Sequence, residues 1–494
     1  MEERAFIPED LDGRTMKYVA LTGATGLLGS WLLGELLAAD VPVVALVRSS
    51  RLETARQRIE STVHLFERRL GRVLPRPVVM ESDLCSPFLG LDAEKQAWFR
   101  DHVDTMLHNA ASLSFVAEKN GEPYRSNIDG TKNVLELCEK TGIQRFHHVS
   151  TAYVCGLRAG TIYESEFEVG QEFGNDYEKS KFSSEKMVRD APFLRSLTIF
   201  RPAIIVGDSK TGYTPTYHGF YAPLKILTPL VSPEYIDPET ASEFGQVLGM
   251  KPEDEKNYVP VDWIAEAMTH IIRHERLHGM CYHLAPKNRT RMDVMSRIMA
   301  EGVRKYKPLR KASSTGLDLS ALHQTFLSQM EVYQSYWRCD PVFDMTNTCR
   351  AVPHLPPPVV DEKTLLMLIR FSISANFGWP LPSPYEIGFD ASEHVRNAAT
   401  KIRSKGGDFS DFALRITGRG GGDWTVRRNE SRIRFDCGCS DENLPVMTLN
   451  SVVFEHLVKK TMPDSSDMAE CVSWENGSVQ DRRSAFMILE LLKI

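Results

Sequence analysis

Tyr177 and Lys181 stand four apart in Tyr177-Glu178-Lys179-Ser180-Lys181, the spacing that puts two side chains on one face of a helix. Hydride addition to a carbonyl generates an oxyanion that needs a proton or a strong hydrogen bond. A phenol can supply it if a neighbouring ammonium lowers its pKa, so Lys181 is expected to do that for Tyr177 and to hold a nicotinamide ribose. Upstream, Val149-Ser150-Thr151-Ala152-Tyr153-Val154 carries hydroxyls at a strand end. Ser150 and Thr151 compete for the task of orienting the carbonyl oxygen. Downstream, Phe200 to Gly207 reads as a buried strand leading into a loop, with Pro202 and Ile204 as cofactor contacts.

These groups must be brought to one place by the elements before them. The apolar run Tyr18-Val19-Ala20-Leu21 is followed by Thr22-Gly23-Ala24-Thr25-Gly26-Leu27-Leu28-Gly29. A buried strand, a glycine-rich turn and a helix starting near Leu27 make a pyrophosphate cradle. Gly23 allows the tight turn, Gly26 lets backbone approach phosphate, and Gly29 lets the helix pack on the strand. Ser30 to Ala39 reads as that helix, and Val41 to Val47 as a strand buried on both faces. Arg48 follows, with Ser49, Ser50 and Arg51, where NAD-binding chains usually place an acidic residue on the ribose hydroxyls. An arginine there suits a 2′-phosphate, so NADP(H) is the expected cofactor.

The alternation continues. Pro77 to Met80 is a strand ending at Ser82-Asp83-Leu84, and Met106 to His108 one ending at Asn109-Ala110-Ala111. Asn127 to Lys140 reads as a helix and Phe146 to Ser150 as a strand. The predicted fold class is α/β, a Rossmann-type doubly wound parallel sheet, with its ligand at the carboxyl ends of the strands.

Glycines spaced three apart resemble the T-G-x-x-G-x-x-G of the short-chain dehydrogenase/reductase superfamily, especially its extended branch. Leu46-Val47-Arg48, Asp83-Leu84 with Leu89-Gly90-Leu91, and His108-Asn109-Ala110-Ala111 resemble the thioester-reductase and fatty acyl-CoA reductase members of that branch. So do Asn127-Ile-Asp-Gly-Thr131, His148 to Val154 and Val259-Pro260-Val261-Asp262, a likeness covering roughly residues 16 to 300. The resemblance implies that NADPH reduces an acyl thioester to an aldehyde, in some members onward to the alcohol, with the acyl group on CoA or an acyl carrier protein. It selects Thr151 over Ser150, because the hydroxyl lies five residues before Gly156. It gives Asn127 a part in a proton relay, a helix-starting cap being an equal reading of that residue. Two other functions use the same residues: an NADP-dependent ketone or hydroxyl oxidoreductase on a lipid or sterol, and a lipid-binding or NADP-sensing protein without turnover. Gly212 to Phe244, rich in proline and aromatics, is expected to cover the nicotinamide pocket as a lid, with His218 and Tyr221 as packing residues.

At 494 residues, two or three domains are expected. A net charge of -6 and the absence of a long basic run argue against nucleic acid. The start Met1-Glu2-Glu3-Arg4 lacks a signal segment, no apolar run has membrane-spanning length, and nine scattered cysteines suit a reducing cytoplasm without metal. A homodimer is compatible with the sequence.

Residues 1–300 form the expected reductase domain. Residues 301–390 read as a helical extension and linker: a helix over Ser296 to Tyr306, helical spacing over Leu319 to Trp337, a proline break at Pro353 to Pro358 and a helix over Thr364 to Ser374. Tyr333, Tyr336 and Trp337 are expected to be core. From about Ala391 to residue 494 a smaller α+β domain follows, with strands over Phe412 to Thr417, Asp423 to Arg428, Ser431 to Asp436 and Val446 to Leu449, and helices over Ser451 to Lys460 and Asp481 to Leu492. Gly418 to Gly422 reads as its hairpin turn. The Trp424 hairpin, Met447 to Phe454, and Glu475-Asn-Gly-Ser478 before the last helix resemble a sterol-carrier-protein-like domain, which implies a fatty acyl or sterol ligand.

Overall fold

The computed structural model describes residues 17–50, 54–230, 249–307, 326–327, 330–375, 377, 390–399, 411–417, 421–429, 432–438, 444–458 and 473–475. The chain divides into two compact units, one of Met1–Val47 with Pro75–Gly378, the other of Arg48–Leu74 with Trp379–Ile494.

In the first unit the strands are β1 (Tyr18–Thr22), β2 (Val43–Val47), β3 (Val78–Glu81), β4 (Val103–His108), β5 (Arg145–Val149), β6 (Thr161–Ile162), β7 (Ser196–Pro202), β8 (Ile204–Val206), β9 (Glu255–Lys256), β10 (Tyr258–Pro260), β11 (Cys281–Leu284), β12 (Thr290–Arg291) and β13 (Val342–Phe343) among the described residues. Seven of them form one sheet in the order β11-β7-β5-β4-β1-β2-β3, parallel throughout. The α/β, doubly wound fold is therefore as the sequence indicates. β1 and β2 are buried along their whole length, which is why they read as unbroken apolar runs. The strand order reverses between β1 and β4, so the binding crevice lies at their carboxyl ends. The register sets Thr22 beside His108, and His108 beside His148.

Helix α1 (Leu27–Ala38) is apolar on all sides and nearly wholly buried, as expected of a helix packed on two faces. The stretch read as one strand over Phe200 to Gly207 is divided. After Pro202, which has no N–H, the Ala203 amide bonds Leu284 O and the Ile204 amide bonds Asn257 O, so β8 pairs with β10 instead of continuing the main sheet. The helix read from Asn127 opens with a π turn, Arg125–Asp129, before an α-helix over Gly130–Thr141.

The proline- and aromatic-rich stretch after Gly212 packs into a core where it is described. Tyr217, Phe220 and Tyr221 are buried in one apolar core with residues of the helices Met292–Tyr306 and Glu362–Ser374. The Tyr221 hydroxyl accepts the Gly207 amide at 2.8 Å, and His218 is exposed. Large aromatics gain more from burial than from covering a solvated pocket. Residues 231–248 of this stretch lie outside the described residues. In the extension, Glu331–Tyr336 is a 3-10 turn, and 319–325 lie outside the described residues.

The second unit holds a five-stranded mixed sheet of Phe412–Thr417, Gly422–Asn429, Arg432–Cys437, Val446–Asn450 and Ser473–Glu475. The first and fourth of these pair parallel, the other neighbours antiparallel. The first two form the antiparallel hairpin expected around Gly418 to Gly422, although 418–420 themselves lie outside the described residues, as does the helix read over 481–492. Helix α2 (Ala55–Leu70) belongs to this unit, begun by a Thr54/Gln57 capping box and ended by Gly71 in the left-handed region. Arg68 pairs with Glu455 at 2.9 Å.

Candidate active site

The turn after β1 shows what each glycine is for. Gly23 has φ +72°, and a Cβ there would lie 2.8 Å from the Ala110 backbone. At Gly29 a Cβ would lie 1.9 Å from Gly23 O, so the helix could not seat. Gly26 differs. Its φ of -81° suits any residue, it is exposed, and a Cβ would meet only Gly23 O at 3.4 Å. Neither backbone nor protein neighbours require glycine there. It caps a helix whose first turn has no side-chain cap and no acidic residue, the features that favour an anion. These residues fit a dinucleotide's pyrophosphate.

Several residues expected to touch the cofactor are instead committed to the protein. The buried Thr22 hydroxyl bonds His108 Nδ1 at 2.8 Å and accepts the Asn109 and Ala110 amides at 3.1 Å each, because register sets the two strand ends side by side. His108 Nε2 lies 3.0 Å from the Thr131 hydroxyl, which donates to Asn127 O at 2.7 Å. Burial, with the nearby Lys181 charge, pushes the His108 imidazole down to about 3, so it is neutral. Leu28 and Gly29 are buried in the helix packing, and Thr25 and Leu27 are half-buried at its mouth. Asn109 Nδ2 donates to Gly23 O at 3.3 Å, while Ala110 and Ala111 continue along the crevice. The Asp83 carboxylate accepts the Cys85 amide and the Ser86 hydroxyl, closing its own turn. Leu84 packs on Gly130, where a Cβ would sit 2.6 Å away. Pro202 is buried and Ile204 half-buried beyond it. Arg48 follows directly on β2 and is exposed; its carbonyl accepts Arg58 Nη1 at 2.6 Å. The Ser49 hydroxyl accepts the Ala55 amide at 3.1 Å, and Arg51 lies outside the described residues.

The hydroxyls and the lysine meet at the ends of β5 and β7. Helix α5 (Asp176–Arg189) is capped by Asn175, whose side chain accepts the Glu178 amide, and its first turn presents Tyr177. The Thr151 hydroxyl donates to Pro202 O at 3.4 Å and accepts the Tyr153 amide at 3.3 Å, and it lies near enough to the Tyr177 phenol to favour its ionised form. Ser150 is buried behind it, its amide bonded to Phe200 O at 2.7 Å. Lys181 is buried one turn along α5, donating to Val149 O at 2.8 Å. The buried Asn127 side chain bonds both Ser112 backbone groups and the Ser180 hydroxyl. It caps no helix, because the turn it stands in begins earlier. It ties the loop after β4 to α5.

The electrostatics depart from expectation in one respect. The Tyr177 phenol is pushed up to about 12, chiefly by burial and against the Thr151 hydrogen bond, with Glu178 adding to the rise. Lys181 makes no hydrogen bond to it, its ammonium donating to the Val149 carbonyl instead. Burial brings Lys181 itself down to about 8. Behind it Glu185 and Arg201, both fully buried, pair at 2.6 Å. Burial alone would raise the Glu185 carboxyl, yet Arg201 and Arg189 hold it below the usual range.

Sequence reasoning missed the surrounding frame. Phe115 stands edge-on to Tyr177 at 5.8 Å, and Tyr333 and Tyr336 from the extension meet Phe115 edge-on at 5.2 and 5.3 Å. Tyr153 donates to Asp340 at 2.6 Å. His108 stood inside a motif already singled out, but a buried neutral histidine has no sequence signature. No group of three or more metal-ligating side chains occurs among the described residues, and no described helix is long and apolar enough to cross a membrane.

The NAD_binding_4 family model, described as Male sterility protein, matches residues 21–268. Among curated proteins, the chain is 28% identical over 292 residues to the nonribosomal peptide synthetase asaC of Aspergillus flavus, covering 54% of this chain and 26% of that one. It is 25% identical over 409 residues to the aldehyde reductase lnaA of the same species, covering 73% of this chain and 36% of that one. The chain thus spans about a quarter to a third of the length of these relatives. Among solved structures, the terminal R domain from the myxalamid PKS-NRPS biosynthetic pathway superposes with a TM-score of 0.55 at 26% identity, covering 74% of this chain and 93% of that one. With its parallel sheet, nicotinamide-type cradle and Thr-Tyr-Lys cluster, the chain belongs to the Male sterility protein family of NAD-binding domains and is an oxidoreductase of the extended short-chain dehydrogenase/reductase kind.

Proposed function

We propose that the chain is an NADPH-dependent reductase of an acyl thioester, carried on CoA or an acyl carrier protein, that yields an aldehyde and a free thiol. The observation that carries this reading is Lys181 held on the Val149 carbonyl at the end of β5, one turn beyond Tyr177 and beside Thr151, next to a cradle whose Gly26 is glycine for no reason internal to the protein. The likeness to the myxalamid R domain supports the thioester as substrate. Arg48 directly after β2, in place of an acidic residue, supports the 2′-phosphate.

The nicotinamide, when bound in reduced form, supplies the hydride. Tyr177 Oη and Thr151 Oγ1 converge on one point and there receive the acyl carbonyl oxygen. Both donate to it as it gathers negative charge, and their fixed orientation stabilises that charge without reorganisation. Tyr177 gives up its proton and a neutral hemithioacetal forms. When the hydroxyl proton returns to Tyr177, the C=O bond re-forms, the C–S bond breaks and the thiolate leaves with both its electrons. Lys181 keeps positive charge one turn away, offsetting the phenolate in a site that excludes water. We further read the C-terminal sheet as a lipid-binding module, on its likeness to sterol-carrier proteins.

The test follows NADPH absorbance and thiol release together, with acyl-CoA of graded chain length and with an acylated carrier protein. Equal amounts of NADPH consumed and thiol released are expected at the aldehyde stage. NADPH consumption with a lipid ketone, and none with any thioester, refutes the reading.

A further inference from the structure

The segment 335–343 lies outside the 21–268 span of the family model, yet it grips both catalytic segments. On one side, Asn175 Nδ2 donates to the Ser335 hydroxyl at 2.9 Å. The Tyr336 ring meets Phe115 edge-on at 5.3 Å, and Phe115 meets Tyr177 edge-on at 5.8 Å; Glu178, the residue next to Tyr177, accepts the Gly174 amide at 2.9 Å. On the other side, Arg338 Nη2 donates to Gly156 O at 2.9 Å, and the Tyr153 hydroxyl donates to Asp340 Oδ2 at 2.6 Å. Gly156 and Tyr153 bound the turn that begins at Thr151.

The grip is itself anchored. Lys256 and Asp340 are both buried and pair at 2.9 Å. Lys256 Nζ also donates to Tyr336 O and, at 2.8 Å, to Arg338 O, and the Asn257 amide donates to Asp340 Oδ2 at 2.9 Å. A buried pair with every remaining group bonded fixes geometry more than it adds stability. Asp340 Oδ2 is thus a fixed point from which the Tyr153 ring hangs. The Tyr153 amide, on the same residue, donates to Thr151 Oγ1 at 3.3 Å while that hydroxyl donates to Pro202 O at 3.4 Å, a long bond that the hydroxyl can exchange for a substrate oxygen while Tyr153 keeps its oxygen in place.

We propose that Asp340 is a positioning residue for catalysis, setting the Thr151 hydroxyl by way of Tyr153, while Tyr336 sets Tyr177 by way of Phe115. The helical extension is then part of the catalytic apparatus rather than a covering for it. The inference rests on the hydride-transfer reading of Thr151 and Tyr177, though not on the substrate being a thioester.

Tyr153→Phe removes only the hydroxyl and leaves Asp340 bonded to Lys256 and Asn257. We expect kcat to fall about tenfold, as a misplacement near the reacting atoms does, with NADPH Kd unchanged. The KM for the carbonyl substrate stays at the wild-type value, so the loss falls on kcat alone. Ser335→Ala, which loosens the other side of the grip, lowers kcat in the same direction. Wild-type kcat in Tyr153→Phe would overturn the proposal, and so would loss of NADPH binding in step with kcat, since the strap would then hold the fold and not the hydroxyl. A wild-type protein inert toward all carbonyls refutes the hydride-transfer reading itself, an outcome distinct from either.

Discussion

Lys181 donates its ammonium to the Val149 carbonyl at 2.8 Å, from the helical turn that follows Tyr177. The lysine is therefore pinned to the end of β5, and its charge reaches the phenol through the site rather than by contact. Burial lowers its pKa to about 8, so the charged form is lost as pH rises through that value. With saturating NADPH, kcat should be level below about pH 8 and fall above it, by about tenfold per pH unit. A kcat still rising well above that pH would show that the ammonium is not needed.

Tyr177→Phe keeps the ring beside Phe115 and deletes the acid. Loss of a positioned proton donor costs about 10²- to 10⁴-fold in rate, and the NADPH affinity should stay near that of the wild type. Titration of NADPH fluorescence alongside turnover separates the two.

The glycines of the cradle should respond in opposite ways. Gly29→Ala forces a Cβ to within 1.9 Å of Gly23 O, an overpacking that costs about 3 kcal/mol of stability, read as a lowered denaturation midpoint. Gly26→Ala has room in the protein itself, so the fold should keep its stability while NADPH binding weakens at least about tenfold, the methyl standing where phosphate approaches.

Arg48→Asp puts an acid at the carboxyl end of β2. Losing a charge-assisted bond and adding repulsion should weaken NADPH binding by about 2 kcal/mol or more while sparing NADH. Equal loss for both cofactors would assign the 2′-phosphate to other residues.

Glu185 and Arg201 offer a stability test. Glu185→Ala leaves the Arg201 guanidinium buried without its partner, which costs about 3–5 kcal/mol. The Glu185 carboxyl is held below its ordinary range. Its contribution is therefore present at neutral pH and is lost as pH falls through that lowered value, where the folded state must take up a proton. Denaturation midpoints of wild type and variant should converge in acid.

The sheet, the cradle and the Tyr-Lys spacing were legible because each is a local pattern. Apolar runs ended by small or polar residues mark buried parallel strands, and four-residue spacing marks one helix face. Four of the second unit's five described strands were legible to within a residue or two for the same reason, Phe412–Thr417 being the same in both, while the short Ser473–Glu475 was not. Thr22 was placed on the cofactor because sequence shows its position but not the register with His108 that occupies its hydroxyl. The aromatics after Gly212 were read as a lid because their partners lie about a hundred residues further on. In the strap at 335–343 only Tyr336 and Trp337 drew a reading, as plain core, since what distinguishes the strap is Asp340 meeting Tyr153 across 187 positions of chain. The missed features are all long-range pairings.

Helix α2 leaves between β2 and β3 and shares a compact unit with residues beyond Gly378. That unit is discontinuous in the gene, so a fragment starting at Trp379 would lack a helix that carries one half of the Arg68–Glu455 ion pair. Shuffling the C-terminal portion onto another reductase as a cassette would transfer an unfinished body. The two units are bound to be inherited together.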